Sequence, residues 1–397
     1  MVGTTPSSFG TAWSPGALGP HGARSADVSG KRLLVVGAGV AGLAAARKLT
    51  SAGFSAEVVE RHPAWDEAGT GIYLPGNAFR ALRALGLDQA VSERAVVIPR
   101  QRVSDHRGRL LFEVELAEIW DGVGPCLALA RADLHAVLLD GARDVPLRFG
   151  ADVRGLRDLD EVVSVEFGDG TVGEYDLVIG ADGIHSTVRR LAFGSDATAS
   201  PVGQVGWRFV SACPPEITTW SVMLGHRTAF LMIPIGNGRV YCYCDVVSPA
   251  GEVWHEGPGR LFSGYAGPVP QLSDAVAEPG LAHRSTIEEV SLESWVRGRV
   301  VLIGDAAHAT SPNMAEGAAM ALEDALVLAE CLHRHEAMPA ALTHFEARRR
   351  PRTDWVRAQT HRRDRTRHSP TVVRNLVLRA FGRRIFRSNY RPLFDEA

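Results

Sequence analysis

Lysine is nearly missing from this chain: Lys31 and Lys48 are the whole supply, and arginine carries the rest of the positive charge. With a formal net charge of -2, the sequence as a whole is no polycation, which argues against bulk binding to nucleic acid or to a membrane. No uninterrupted apolar run reaches the length needed to span a bilayer. The cysteines, Cys126, Cys213, Cys242, Cys244 and Cys331, are odd in number and scattered. They make no disulfide framework and read as free thiols of a reducing compartment, which points to the cytoplasm. No pair stands at Cys-x4-Cys spacing, so a redox-active dithiol is excluded. Cys242 and Cys244 fall on one face of a strand, but no second pair completes a zinc site and they read as small core side chains. No H-x-x-x-H or His/carboxylate cluster offers another metal site, and no metal is expected.

What is present begins at Lys31. Leu33, Leu34, Val35 and Val36 form an apolar block too short for a helix and rich in strand formers, a strand buried on both faces. Gly37, Gly39 and Gly42 follow at G-x-G-x-x-G spacing. The first glycine permits a tight turn, the second lets a pyrophosphate approach the backbone, and the third lets the next helix pack against the strand. That helix, from Ala41 to about Ser51, aims its free N–H groups and positive dipole end at the phosphates. Gly53 stops it, and Ala56 to Val59 gives a second strand ending in Glu60 and Arg61. A carboxylate there, about twenty residues past the glycines, suits ribose hydroxyls and would repel a 2′-phosphate, so the ligand is FAD or NAD and not NADP.

Residues 1–29, rich in Pro, Gly and Ser without periodicity, read as a disordered leader with neither a secretory signal core nor a twin-arginine pair. From Thr70 a glycine-rich loop passes into an amphipathic helix with Ala78, Leu82 and Leu85 on its inner face. Arg131 opens another helix; its guanidinium either pairs locally at the helix start or grips a cofactor phosphate or ribityl oxygen. Val162 to Ile179 reads as a hairpin and a return strand, ending in Gly180-Ala181-Asp182-Gly183. Between residues 200 and 290 short alternating runs take over, with a clear hairpin from Thr228 to Val247 across Gly236-Asn237-Gly238. This is an antiparallel sheet inserted between pieces of a parallel one, and one face of it makes a natural wall for an apolar substrate. A buried strand returns at Val300 to Ile303 and ends in Gly304-Asp305. After Pro312 comes a strongly amphipathic helix. From Arg348 onward arginine clusters, which reads as a solvated helical face and not as a nucleic-acid site.

Three strand ends thus carry glycines or acids in fixed order. Taken together they resemble the FAD-dependent aromatic hydroxylases, the family with the p-hydroxybenzoate hydroxylase fold that includes salicylate, 3-hydroxybenzoate and urate hydroxylases. The resemblance covers about Lys31 to Arg352. It implies an α/β chain with a Rossmann-like FAD-binding domain assembled from 30–105, 125–200 and 295–335. An antiparallel substrate-binding sheet from 106–124 and 200–294 is inserted in it, and 336–397 forms C-terminal Arg-rich helices.

The resemblance also assigns roles. Gly37, Gly39, Ala41, Gly42, Glu60 and Arg61 hold the ADP half of FAD, and the backbone at Val153 meets adenine. Arg131 contacts the middle of the cofactor. The segment starting at Asp182 serves FAD and the nicotinamide donor, and Gly304-Asp305 bonds the ribityl chain. Pro312 lies beside the flavin ring, and Gly317 and Ala318 turn their N–H groups to its pyrimidine end, where reduced flavin is anionic. Glu316 departs from the glutamine of many members, and is expected to turn away from the ring toward an arginine. The activity implied is NADH- or NADPH-consuming hydroxylation of a small or polycyclic aromatic substrate by O₂ through a flavin C4a-hydroperoxide. The protein acts as a monomer or homodimer, with no nucleic-acid partner and no membrane span.

For substrate work the candidates are Arg208, which either anchors an anionic or phenolate substrate or sits at a strand edge paired to an acid, and Tyr241, which with Tyr243 lines the pocket or simply packs. His308 reads as structural. Epoxidation, decarboxylative hydroxylation and N-hydroxylation remain open on the same scaffold, as does a catalytically silent FAD- or NAD-binding protein. Halogenation is excluded, since neither a Trp-x-Trp-x-Ile-Pro stretch nor its active lysine is present.

Overall fold

Leu33, Leu34 and Val35 are wholly buried because their strand, Arg32–Val36, runs through the middle of a sheet. It pairs in parallel with Leu177–Gly180 on one side and Ser55–Glu60 on the other. Val300–Leu302 and Leu147–Phe149 extend the sheet in parallel, and Val296–Arg297 adds an antiparallel edge. The computed structural model describes residues 30–64, 70–248, 257–278 and 280–397, and the leader lies outside them. The chain enters the helix Val40–Ser51 within four residues of leaving the first strand, and this helix packs against the long helix Gly317–Arg334. A small sheet, Val153–Asp158, Val163–Phe167 and Val172–Tyr175, contributes Val163, Val165 and Phe167 to the same core. The hairpin and return strand expected over Val162 to Ile179 are both there, the latter as Leu177–Gly180.

The inserted sheet has seven strands. In spatial order they are His283–Glu289, Ser200–Ala212, Arg239–Val247, Thr228–Pro234, Trp220–Leu224, Arg100–Asp105 and Leu110–Glu115. Its pairs are antiparallel except that between Trp220–Leu224 and Arg100–Asp105. Because side chains alternate along a strand, the register decides both faces at once. Trp207 stands opposite Cys244 and Phe209 opposite Cys242, and these bury a second core with Phe230, Met232, Phe262 and Tyr265. On the opposite face Arg208 stands across from Tyr243, Val210 from Tyr241, and Gly206 from Asp245.

Two helices, Met338–Thr366 and Thr371–Tyr390, close the chain. Here the expectation of a solvated arginine face fails at several positions. Arg349, Arg352, Arg367 and Arg374 are buried. Arg349 and Arg352 are driven inward by Glu323 and Asp324 of Gly317–Arg334, which would otherwise be uncompensated charges in the core.

Candidate flavin and substrate site

The glycine turn is shaped by what each missing side chain would strike. A Cβ on Gly37, whose φ is +108°, would stand 2.5 Å from the carbonyl oxygen of Ala181, and one on Gly42 1.8 Å from the carbonyl oxygen of Gly37. The ends of Arg32–Val36 and Leu177–Gly180 therefore come this close only because Gly37 has no side chain. Gly39 differs: a Cβ there meets nothing within 4 Å. Gly39 is also the N-cap of Val40–Ser51 and supplies no side-chain cap, so the first-turn N–H groups face open space.

Glu60 is buried at the end of its strand, where Oε2 accepts from the Ala38 N–H at 2.9 Å and Oε1 from the His62 N–H at 3.0 Å. Arg61 beside it is exposed, with Nε 3.3 Å from His62 Nε2. The Ala151 N–H donates to the Glu60 carbonyl at 2.9 Å, which brings the segment leading into Val153 beside the same strand end. His135 was missed in the sequence. Its Nε2 lies 2.9 Å from the Ala38 carbonyl and steadies the glycine turn from below, and burial lowers its pKa so that the ring is neutral. Arg131 starts the helix Arg131–Gly141 with an exposed side chain, while its backbone N–H donates to Thr70.

Asp182 serves first as a cap. Its carboxylate accepts from the Ser186 hydroxyl and from the N–H groups of Thr187, at 2.7 Å, and Val188, at 3.1 Å. Burial nonetheless raises its pKa. Gly304, with φ +58°, brings the third strand end against the first helix: its Cβ would lie 2.9 Å from that of Ala41. Asp305 then projects exposed, with Oδ1 3.9 Å from where a Cβ on Gly317 would stand.

The turn carrying Asp305 is held from behind by Asp324, also missed in the sequence. Oδ2 accepts from the Gly304 N–H at 2.9 Å and from His308 Nε2 at 2.7 Å, and Oδ1 from Arg349 Nε at 2.7 Å. Burial alone would raise this carboxyl's pKa, but His308 and Arg349 beside it hold it down at about 2. His308 is thus structural, as expected. The one available sequence signal was an acid pair, Glu323-Asp324, inside an otherwise apolar helix.

Pro312 opens a single 3-10 turn to Met314, followed by Ala315 in the left-handed region at φ +54°. Tyr390 supports this turn by donating to the Met314 carbonyl at 3.0 Å. Gly317 and Ala318 begin the helix with no side-chain cap on their N–H groups. Glu316 turns inward as expected, but the group it meets directly is Asn77, whose Nδ2 donates to Oε2 at 3.0 Å. Burial pushes its pKa up to about 8, with Glu323 adding to the rise and Arg352 and Arg363 opposing it. At neutral pH the carboxyl is mostly protonated. It then offers an acceptor oxygen and one O–H donor, as a neutral glutamine offers an acceptor oxygen and two N–H donors.

On the inserted sheet Arg208 lies on an inner strand, which corrects the strand-edge alternative. Nη1 donates to Ser285 at 2.8 Å and the guanidinium lies 5.2 Å from the Tyr243 ring centroid; no carboxylate pairs with it among the described residues. Tyr241 shares this face and is crossed so closely by Gly71 that a Cβ on Gly71 would sit 2.4 Å from it. Arg367 ties the face to the Pro312 turn: it donates to Asp245 on the sheet and, at 2.6 Å, to Asn313 Oδ1. Arg367 thus joins the sheet face that carries Arg208 and Tyr243 to the turn that begins at Pro312.

A family model described as FAD binding domain matches residues 31–360. The chain belongs to that family. Among its relatives, aurachin C monooxygenase/isomerase of Stigmatella aurantiaca is 33% identical over 341 residues, covering 84% of this chain and 89% of the relative. The 2-heptyl-3-hydroxy-4(1H)-quinolone synthase of Pseudomonas aeruginosa is 36% identical over 341 residues, covering 83% and 87%. The solved structure of Klebsiella pneumoniae HpxO with FAD and uric acid superposes with a TM-score of 0.82 at 29% identity, over 92% of this chain and 97% of that one. The fold is that of p-hydroxybenzoate hydroxylase and the protein is an FAD-dependent monooxygenase.

The residues present fit FAD. Open space in front of Gly39, uncapped N–H groups at Val40–Ser51 and Gly317–Arg334, and an exposed Asp305 between them offer donors for phosphates and for the anionic ring edge, and an acceptor for hydroxyls.

Proposed function

We propose that the protein hydroxylates a planar aromatic substrate bearing an oxyanion or ring carbonyl, with O₂ as oxidant and NADH or NADPH as electron donor, in the cytoplasm. The observation that carries this reading is Arg208: a guanidinium held by a hydroxyl and an aromatic face, with no acid paired to it among the described residues. Such a group has donors left for an anionic or carbonyl oxygen, and it is pre-oriented before the substrate arrives. Tyr241 and Tyr243 flank it and provide flat apolar surface for a ring. Relatives named for urate, 6-hydroxynicotinate and quinolone chemistry support that substrate class.

Bound FAD supplies the redox and oxygen chemistry. The glycine turn, Glu60 and the Val153 segment would hold its adenosine half, Arg131 and Asp305 its middle, and Gly317-Ala318 its ring. The buried Tyr243 ring, with Val210 and Tyr241 beside it on the same face, would keep water from the reacting carbon. Arg208 fixes the ring by its oxygen, so that one carbon is presented.

The test is to load the purified protein with FAD and follow NADH and NADPH oxidation with 4-quinolones, hydroxynicotinate and urate, analysing products by mass. At least one ring of this class should accelerate oxidation and gain one oxygen, and Arg208→Ala should abolish the acceleration. Equal acceleration in the variant, or none from any such ring, would overturn the proposal. The product also separates ring hydroxylation from epoxidation, N-hydroxylation and decarboxylative hydroxylation.

A further inference from the structure

The last helix, Thr371–Tyr390, has two faces that do not belong to the flavin site. Its inner face carries Arg374, Gly382, Phe386, Asn389 and Tyr390, all buried. Gly382 sits so tightly on Phe112 that a Cβ would come within 2.3 Å of the ring, and Arg374 donates to the Gly225 carbonyl at 2.6 Å. The helix is therefore fixed and cannot roll to hide what it shows outward. What it shows is apolar: Val372, Val373, Leu376, Val377, Phe381 and Ile385 are exposed, Val372 by 72% and Phe381 by 56%. These are six of the twelve exposed large apolar side chains among the described residues.

Val373, Val377, Phe381 and Ile385 are four apart and form one ridge along the helix. Arg379, Arg383 and Arg387, also four apart and each two positions on from a ridge residue, form a second ridge about 160° around the axis. Together with Arg384 these arginines are exposed and make no hydrogen bond or ion pair among the described residues. Residues 371–390 contain no acid at all. The chain's net charge of -2 thus conceals a local patch of unpaired positive charge beside an apolar stripe.

We propose that this helix lies on the surface of a bilayer containing anionic phospholipid, apolar ridge among the acyl chains and arginines at the phosphate level. Three features select this occupant. The arginines complement an anionic headgroup layer, and their stems reach outward while the ridge buries. The ridge holds only Val, Phe and Ile, so it has no polar group with which to set the register of a protein partner, whereas a fluid lipid surface demands none. A second copy packing by a two-fold axis would double the positive charge of the patch with no acid on either helix to compensate. The proposal does not depend on the substrate assignment.

Flotation of the full-length, FAD-loaded protein with vesicles tests it. Partition onto phosphatidylcholine/phosphatidylglycerol vesicles should exceed that onto phosphatidylcholine alone and should fall as salt is raised. The double variant Val377→Ser, Phe381→Ser should lose about tenfold or more of the partition. The double variant Arg379→Ser, Arg383→Ser should bind more weakly and with a flatter salt dependence. Both variants should keep their flavin and their NAD(P)H oxidation in vesicle-free buffer, which separates this failure from that of the active-site reading. Wild-type protein that stays off anionic vesicles at low salt would overturn the proposal. So would partition unchanged in the variants, or a dimer that Phe381→Ser dissociates, which would make a second copy the occupant.

Discussion

Asp324 Oδ2 holds the Gly304 N–H at 2.9 Å and His308 Nε2 at 2.7 Å at once, so one buried carboxylate fixes the turn that presents Asp305. Asp324→Asn removes the charge that Arg349 and His308 face. Leaving a buried arginine half-paired should cost about 3–5 kcal/mol, read as a lowered denaturation midpoint. The pH dependence has a definite sign. The carboxyl's pKa is depressed from 3.8 to about 2, so its stabilisation is present above the unfolded value and is lost as pH falls through the folded one. Wild-type stability should fall between roughly pH 4 and 2 more steeply than that of the variant.

Asp305 gives the opposite pattern. It is exposed and accepts no hydrogen bond among the described residues, so Asp305→Ala should change folding stability by no more than about 0.5 kcal/mol. Its carboxylate nevertheless points at the start of Gly317–Arg334, where the cofactor's chain would pass. Flavin affinity should drop by roughly tenfold or more, measured by fluorescence titration of FAD into flavin-free protein.

Glu316→Gln tests the protonated carboxyl. A folded pKa of about 8, above the usual 4.5, means that native protein retains a proton the unfolded chain releases. Its contribution is greatest below the unfolded pKa and is lost as pH rises through the folded one, at up to about 1.4 kcal/mol per pH unit. Melting temperatures of wild type should decline from pH 5 to pH 8 relative to those of Glu316→Gln, and the variant should keep its flavin.

Arg208→Lys retains the charge and loses the planar fork. For a substrate held by two parallel hydrogen bonds, kcat/KM should fall on the order of tenfold to a hundredfold, while bound flavin and stability stay at wild-type levels. Steady-state kinetics and the flavin absorbance ratio separate the two effects.

Much of this site was legible in the sequence because it is local. Each strand, its terminal glycine or acid and the helix that follows lie within a dozen residues, and backbone sterics at Gly37 and Gly304 dictate the residue type directly. What sequence reading missed is held together across long separations. Asp324 is buried because Arg349, twenty-five positions on, comes back to meet it, and Arg352 and Arg367, read as part of a solvated face, went inward to Glu323 and Asp245 for the same reason. The direction of Arg208 was undecidable from its neighbours. It is set by registers with Tyr243 and with His283, which also bring Ser285, seventy-seven positions away, within its reach, and a slip of one residue would have turned it into the second core.

The central claim is that the space before Gly39 is where the pyrophosphate of FAD sits, and Gly39→Val examines it most directly. Since a Cβ at this position meets no protein atom within 4 Å and the backbone has φ -80°, the variant should fold with a loss of no more than about 1 kcal/mol. The account predicts a folded, colourless protein that takes up no added FAD in an equilibrium titration. A folded Gly39→Val protein that binds FAD with wild-type affinity would contradict it.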